Sequence, residues 1–173
     1  MEILMLIYHP MKDPFNCIYR VLCILQDLKM QNVPYDLIKI LDFYVVFPHL
    51  LKDIKLPREL IKYRSVLKEV PLPYENLPDA RQLMFDISII QDQAINSMVA
   101  KGVFIKNDFI SGNLNLRDTY IKRREIVELI TKAKFRETSW YKILIDDLSK
   151  IPLLGGSGLK NRTGLMEYRY DAT

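Results

Sequence analysis

Apolar positions in this chain recur mostly at intervals of three and four residues, and that period predicts helices. Asp13-Pro14 supplies a side-chain N-cap and then a proline at the first helical position, and Phe15, Ile18, Leu22, Leu25 and Leu28 follow at helical spacing. Asn16, Arg20, Gln26 and Asp27 fall largely elsewhere, so the spacing predicts an amphipathic helix to about Met30. Asn32 and Pro34 open a second helix. It carries Leu37, Leu41, Tyr44 and Pro48 on one face and Asp36, Lys39 and Asp42 on a solvated one. Proline lacks a backbone donor and disfavours helix at the residue before it, so this helix ends or kinks at Phe47-Pro48. A third helix is expected from Pro57, with Leu60, Ile61, Arg64 and Leu67 as its stripe, and it stops before Pro71.

Residues 71–78, PLPYENLP, contain three of the nine prolines and read as an extended connector, a seam within one domain. Asp79 starts the longest helix, which runs to Lys101 and is closed by Gly102, a residue that readily takes the left-handed C-terminal conformation. Leu83, Ile87, Ile90, Ala94 and Met98 form its main stripe, and Phe85, Ile89 and Ile95 broaden it, which predicts cover on more than one side. Val103–Ile105 is a strand candidate, Ser111-Gly112-Asn113 a turn, and Leu114-Asn115-Leu116 a returning strand. Helix, glycine, strand, turn, strand is the order of a winged helix-turn-helix. The expected fold is mainly α with a small β-hairpin, a winged helix-turn-helix-like single domain over residues 1–154. Further helices are expected at Ile121–Ala133 and Trp140–Leu148. The glycine-rich residues 155–173 read as a C-terminal tail, with Met166–Tyr170 available as an edge strand. Ile3–Ile7 reads as a short buried strand or an arm on the core.

Leu41–Leu51, LDFYVVFPHLL, sets Phe43, Tyr44, Val45, Val46 and Phe47 in a row. It is too apolar to face water and too short to cross a bilayer, so it is buried in this chain or against a partner. Aromatic side chains are enriched where partners dock. Phe43, Tyr44, Phe47, His49 and Leu50 are therefore the candidate partner-binding residues.

Composition narrows the function classes. The chain has 173 residues, nearly half of them hydrophobic, enough to bury a core as one domain. A net charge of +4 permits nucleic-acid contact without requiring it. Positive charge concentrates in residues 117–136, where Arg117, Lys122, Arg123, Arg124, Lys132, Lys134 and Arg136 outnumber Asp118, Glu125 and Glu128. Arg117, Lys122, Arg123 and Arg124 are candidate DNA-phosphate contacts, against the plainer reading of a solvated helix. His9 and His49, the only histidines, each lie near a proline in apolar surroundings and read as histidines bonding the backbone at a bend. Cys17 and Cys23 point in different directions on a helix and read as buried thiols. Gly155, Gly156 and Gly158 lack the Gly-Lys-Ser/Thr ending of a phosphate loop. Asp42 with Asp53-Ile54-Lys55 matches the skeleton of metal-dependent nucleases, but the two acids fall on different elements, and a solvated helix face is favoured. No catalytic, cofactor or metal residue is assigned. No uncharged apolar run approaches the roughly 18 residues of a spanning helix, and MEILMLIYHP lacks a basic region and a cleavage site, which predicts a cytoplasmic protein.

Three segments carry a family resemblance: YHPMKDP at 8–14 with Arg20 in the helix after it, LDFYVVFPHLLKDIKLP at 41–57, and IIQDQAINSMVAKGVF at 89–104. On these the chain resembles the middle component of bacterial three-component ABC-ATPase conflict systems, the group that includes the small subunit of the Lamassu anti-phage system. The DFYxxFPH core is specific, and the C-terminal third offers no motif to match. The resemblance implies a non-catalytic winged-helix adaptor. Its partners would be an SMC/Rad50-like ABC ATPase that senses abnormal DNA and an effector subunit, often a nuclease. DNA contact would come mainly through the complex, with no membrane and no cofactor involved. The alternative is a winged-helix DNA-binding protein that uses the basic segment 117–136.

Overall fold

The computed structural model of the chain describes residues 10–166. His9, the run Ile3–Ile7 and the residues of the expected edge strand after Met166 lie outside the described residues.

Asp13 caps the first helix through its Oδ1, which accepts from the Phe15 N–H at 2.8 Å, and α1 runs Pro14–Leu28. The face it buries is centred on Cys17, Arg20, Val21 and Ile24, whereas Phe15, expected to lead the apolar stripe, is exposed. A two-residue strand, β1 (Val33–Pro34), leads into α2 (Tyr35–Val46). α2 is the central helix: every residue from Leu37 to Val45 is buried, Lys39 and Asp42 included. The solvated face expected there is absent at those two positions. After α2 the chain turns through Pro48–Asp53 and Arg58–Tyr63 in 3-10 geometry before α3 (Arg64–Lys68), so the third expected helix is mostly a tighter spiral.

The connector carries no helix or strand, and Asp79 ends it by capping α4 (Ala80–Ala100) with bonds from the Arg81 and Gln82 N–H groups. Gly102 closes α4 at φ +71°, a backbone region costly to any side chain. α4 buries Leu83, Met84, Ile87, Gln91, Ala94, Ile95 and Met98. The opposite stripe, with Phe85 and Ile89, faces outward, so the helix is covered on one side and not on two.

The charges in the core are admitted because they are paired, since an unpaired buried charge is prohibitive. Arg20 donates through Nε and Nη2 to Asp42 at 2.6 and 3.2 Å. Gln91 of α4 donates to the same carboxylate at 2.9 Å and to the Lys39 carbonyl at 3.0 Å. Lys39 in turn reaches Asp92 at 2.8 Å, beside the Tyr35 hydroxyl. One buried carboxylate thus fastens α1, α2 and α4 together.

After Gly102 the expected hairpin takes a different form. α5 (Lys106–Ile110) occupies the loop, and β2 (Asn113–Leu114) pairs antiparallel with β1, Val33 opposite Leu114 and Pro34 opposite Asn113. On this side the Tyr35 N–H donates to the Gly112 carbonyl at 2.9 Å. Odd-numbered residues bond the other way: the Ile105 N–H donates to Asn115 and the Arg117 N–H to Val103, each at 3.0 Å, around the single bridge Phe104–Leu116. Residues 113–117 therefore lie between 33–34 and 103–105. The returning strand forms where expected, but its regular pairing is with the segment ahead of α2.

α6 (Asp118–Ile121) and α7 (Arg124–Thr131) divide the single helix expected there. α8 (Ser139–Asp146) is capped by the Thr138 hydroxyl and packs on α1, α2 and α3. The glycine-rich stretch is no loose tail within the described residues. It folds into α9 (Leu159–Thr163) and returns Leu159, Lys160 and Leu165 to the core. Lys160 pairs with Asp36 at 2.7 Å, and the Lys55 N–H donates to the Arg162 carbonyl at 3.1 Å. Gly158 makes this fold-back possible, because a Cβ there would meet the Leu154 carbonyl oxygen at 2.2 Å.

Candidate functional site

The end of α2 and the proline connector build one groove. Pro48 stops the helix: the Phe47 N–H still bonds back to Phe43 at 2.9 Å, and the next turn is 3-10, with the Leu50 N–H on the Phe47 carbonyl at 3.0 Å. Phe43, Tyr44 and Phe47 turn inward. The Phe43 and Phe47 rings lie tilted against each other with centroids 5.1 Å apart, and all three side chains are buried in the core, Phe47 directly beneath the groove. Phe43 and Tyr44 thus belong to the core, the reading the sequence left open beside a partner-facing one, and Phe47 floors the groove. A pattern of consecutive aromatics could not reveal that α2 is wrapped on every side.

His49 and Leu50 stay half-buried at the surface, with Val46 beside them. Across from them lies the connector, whose prolines deny it a helix and a regular ladder. Together, Val46, Phe47, Pro48 and His49 face Pro71, Leu72, Tyr74 and Leu77 across a groove of about 330 Å³. Leu72 is 65% exposed and Tyr74 fully so. The groove is apolar apart from His49 and Glu75. His49 sits edge-on to Phe47, with ring centroids 6.4 Å apart, and among the described residues it makes no hydrogen bond within the chain. The expected backbone bond at this bend is therefore not what holds it. Burial, and then the nearby Lys52, lower its pKa against the opposing pull of Asp53, which favours the neutral ring. Leu72 and Tyr74 were missed from sequence, although apolar residues between prolines in a stretch too short to fold are a readable sign of exposure.

The remaining candidates are dispersed. Arg117, Lys122, Arg123 and Arg124 are all exposed. Arg124 pairs with Glu128 at 2.9 Å, and Arg123 lies on the Tyr120 ring. Arg136 leaves the basic surface altogether. Its Nε and Nη2 donate to Asp27 at 2.8 and 2.5 Å, its Nη1 to the Ile130 carbonyl, and Tyr141 completes the carboxylate's partners. A cavity of about 430 Å³ beside that cluster is lined by Lys29, Glu137 and Lys142 as well, charges of both signs. Asp42 is fully buried on Arg20 and Gln91, while Asp53 is exposed, so the two acids do not form one metal site. Among the described residues no group of His, Cys, Asp and Glu side chains has the geometry to hold a metal ion. Cys17 and Cys23 are both buried, and burial pushes the Cys23 thiol up to about 12, so neither is a ready nucleophile. Among the described residues no helix is long and apolar enough to cross a membrane.

The family model of the ABC-three component (ABC-3C) system Middle Component 5 matches residues 6–171 of the chain. The chain belongs to that family. The resemblance carried by DFYxxFPH therefore holds at the level of a middle component of ABC three-component systems. As a middle component it takes its place in a system with ABC partner components. No curated protein and no solved structure matches this middle component.

Proposed function

We propose that this middle component is a non-catalytic adaptor in a cytoplasmic anti-phage complex of the Lamassu type. It bridges an SMC/Rad50-like ABC ATPase and a nuclease-type effector. The reading is carried by the groove, where Leu72 and Tyr74 are displayed over the end of α2 and the turn at Pro48. Apolar surface of this kind gains about 25 cal/mol per Å² when a partner removes it from water, and tyrosine is enriched among the residues that dominate interfaces. The docking residues are Val46, His49, Leu50, Leu72 and Tyr74, with Phe47 as the packed floor.

The winged-helix reading of the fold draws support from the strand order, residues 113–117 lying between 33–34 and 103–105. In that reading α4 is the helix that precedes the wing. Phe85 and Ile89 on its exposed face favour a protein, not a DNA groove, against its first half.

Co-expressed with its ABC component and effector, the tagged chain is expected to retain both through purification. Leu72→Asp with Tyr74→Asp is expected to weaken partner binding at least about tenfold, a loss of roughly 1.4 kcal/mol, with far-UV circular dichroism unchanged. A chain that ignores the ABC component, or a double variant that still captures it fully, overturns the reading.

A further inference from the structure

The fold gathers positive charge from two segments that are separate in sequence. Lys101 follows the last residue of α4, and the Tyr120 hydroxyl of α6 donates to its carbonyl at 3.0 Å. The Arg117 N–H reaches the same end of α4, donating to the Val103 carbonyl at 3.0 Å. The Arg123 guanidinium lies 4.4 Å from the Tyr120 ring centroid, so it rests on a ring that is itself tied to α4. Lys122 is its neighbour in the chain. All four cations are exposed, and among the described residues none of them forms an ion pair.

The surroundings favour one class of anion. Asp118, Glu125 and Glu128 are the exposed acids of this stretch, the last of them paired with Arg124. On the adjoining turns of α4, Gln93, Asn96 and Ala100 face outward, while Asp92 is turned to Tyr35 and Lys39. Arginine, lysine and side-chain amides are the groups that contact nucleic-acid phosphates, and the guanidinium fork fits a phosphate. An acidic protein segment would want an apolar centre to dock on, which these residues do not provide.

We propose that Lys101, Arg117, Lys122 and Arg123 form a sequence-independent site for the phosphodiester backbone of nucleic acid. The site is distinct from the apolar groove and does not depend on the adaptor reading.

The test titrates the full chain onto a labelled duplex of arbitrary sequence and follows fluorescence anisotropy at several salt concentrations. With up to about four phosphates neutralised, the log–log salt slope is expected to lie near −3.5, a loss of roughly 100-fold between about 50 and about 200 mM salt. Lys122→Glu with Arg123→Glu is expected to weaken binding at least about tenfold and to flatten the slope by about two. Arg123→Lys keeps the charge and is expected to keep most of the affinity. Lys62→Glu with Arg64→Glu makes the same change in net charge at exposed positions on α3 and the turn before it, and is expected to leave binding unchanged. Far-UV circular dichroism confirms that each variant is folded. No binding at the lowest salt, equal weakening by the two double variants, or displacement by polyglutamate as readily as by unlabelled duplex overturns the site. Partner capture, which reads the groove, is a separate measurement, so the two ideas fail separately.

Discussion

Asp42 is a carboxylate with no exposed surface, and Arg20 and Gln91 both donate to it in the core. Removing one member strands the other. Arg20→Met or Asp42→Ala is expected to cost about 3–5 kcal/mol, read as a lowered urea midpoint. Arg20→Met combined with Asp42→Leu is expected to recover most of that loss, with the Gln91 amide keeping only the Lys39 carbonyl as acceptor; a double variant no better than the singles contradicts the pairing account. His49 is a group at the other extreme, neutral by preference. Its folded pKa is lowered, first by burial and then by Lys52, so its share of stability is fully present above the unfolded value of about 6.5. That share is lost as pH falls from there through the lower folded value. The thermal midpoint of the wild-type chain is expected to drop over that window more than that of His49→Gln. An imidazole resonance of His49 that titrates at or above 6.5 speaks against this.

The helix boundaries were legible because they are local chemistry. Asp13, Asp79 and Gly102 cap or close α1 and α4 where their residue types require, and Pro48 stops α2. The faces were less legible. Phe15, Phe85 and Ile89 look like core residues by spacing and are exposed, while Arg20, Lys39 and Asp42 look like surface and are buried. A periodicity reads one helix at a time, and Arg20 and Asp42 are 22 positions apart on different helices, so their pairing leaves no local trace. The glycine-rich stretch hid a packed element for a similar reason: its glycines serve contact as well as freedom. Gly158→Ala forces a methyl group onto the backbone of Leu154, which cannot rotate away, and is expected to destabilise by about 1–3 kcal/mol in a urea melt. At Gly156 an added Cβ meets nothing within 4 Å, so Gly156→Ala is the control and is expected to shift the midpoint little.

For the whole molecule, α2 is the axis, with α1, α4 and α8 packed about it and the β1–β2 pair at its N-terminal end. The candidate surfaces sit where this wrapping runs out: the groove at the C-terminal end of α2, and the cations where α4 hands over to residues 103–117. The sequence pointed to the first surface through His49 and Leu50 at the surface and through Phe43, Tyr44 and Phe47 beneath it, and missed Leu72 and Tyr74, which reach outward. It named three of the four cations of the second, but Lys101 joins them only through the fold. The buried carboxylate also constrains how a sequence of this kind can drift. Positions 20, 42 and 91 answer to one another across three helices, so a neutral route that loses the charge at 20 has to lose the acid at 42 in the same step or nearly so. The three sites form a single unit of inheritance inside a core whose apolar positions can exchange one apolar residue for another.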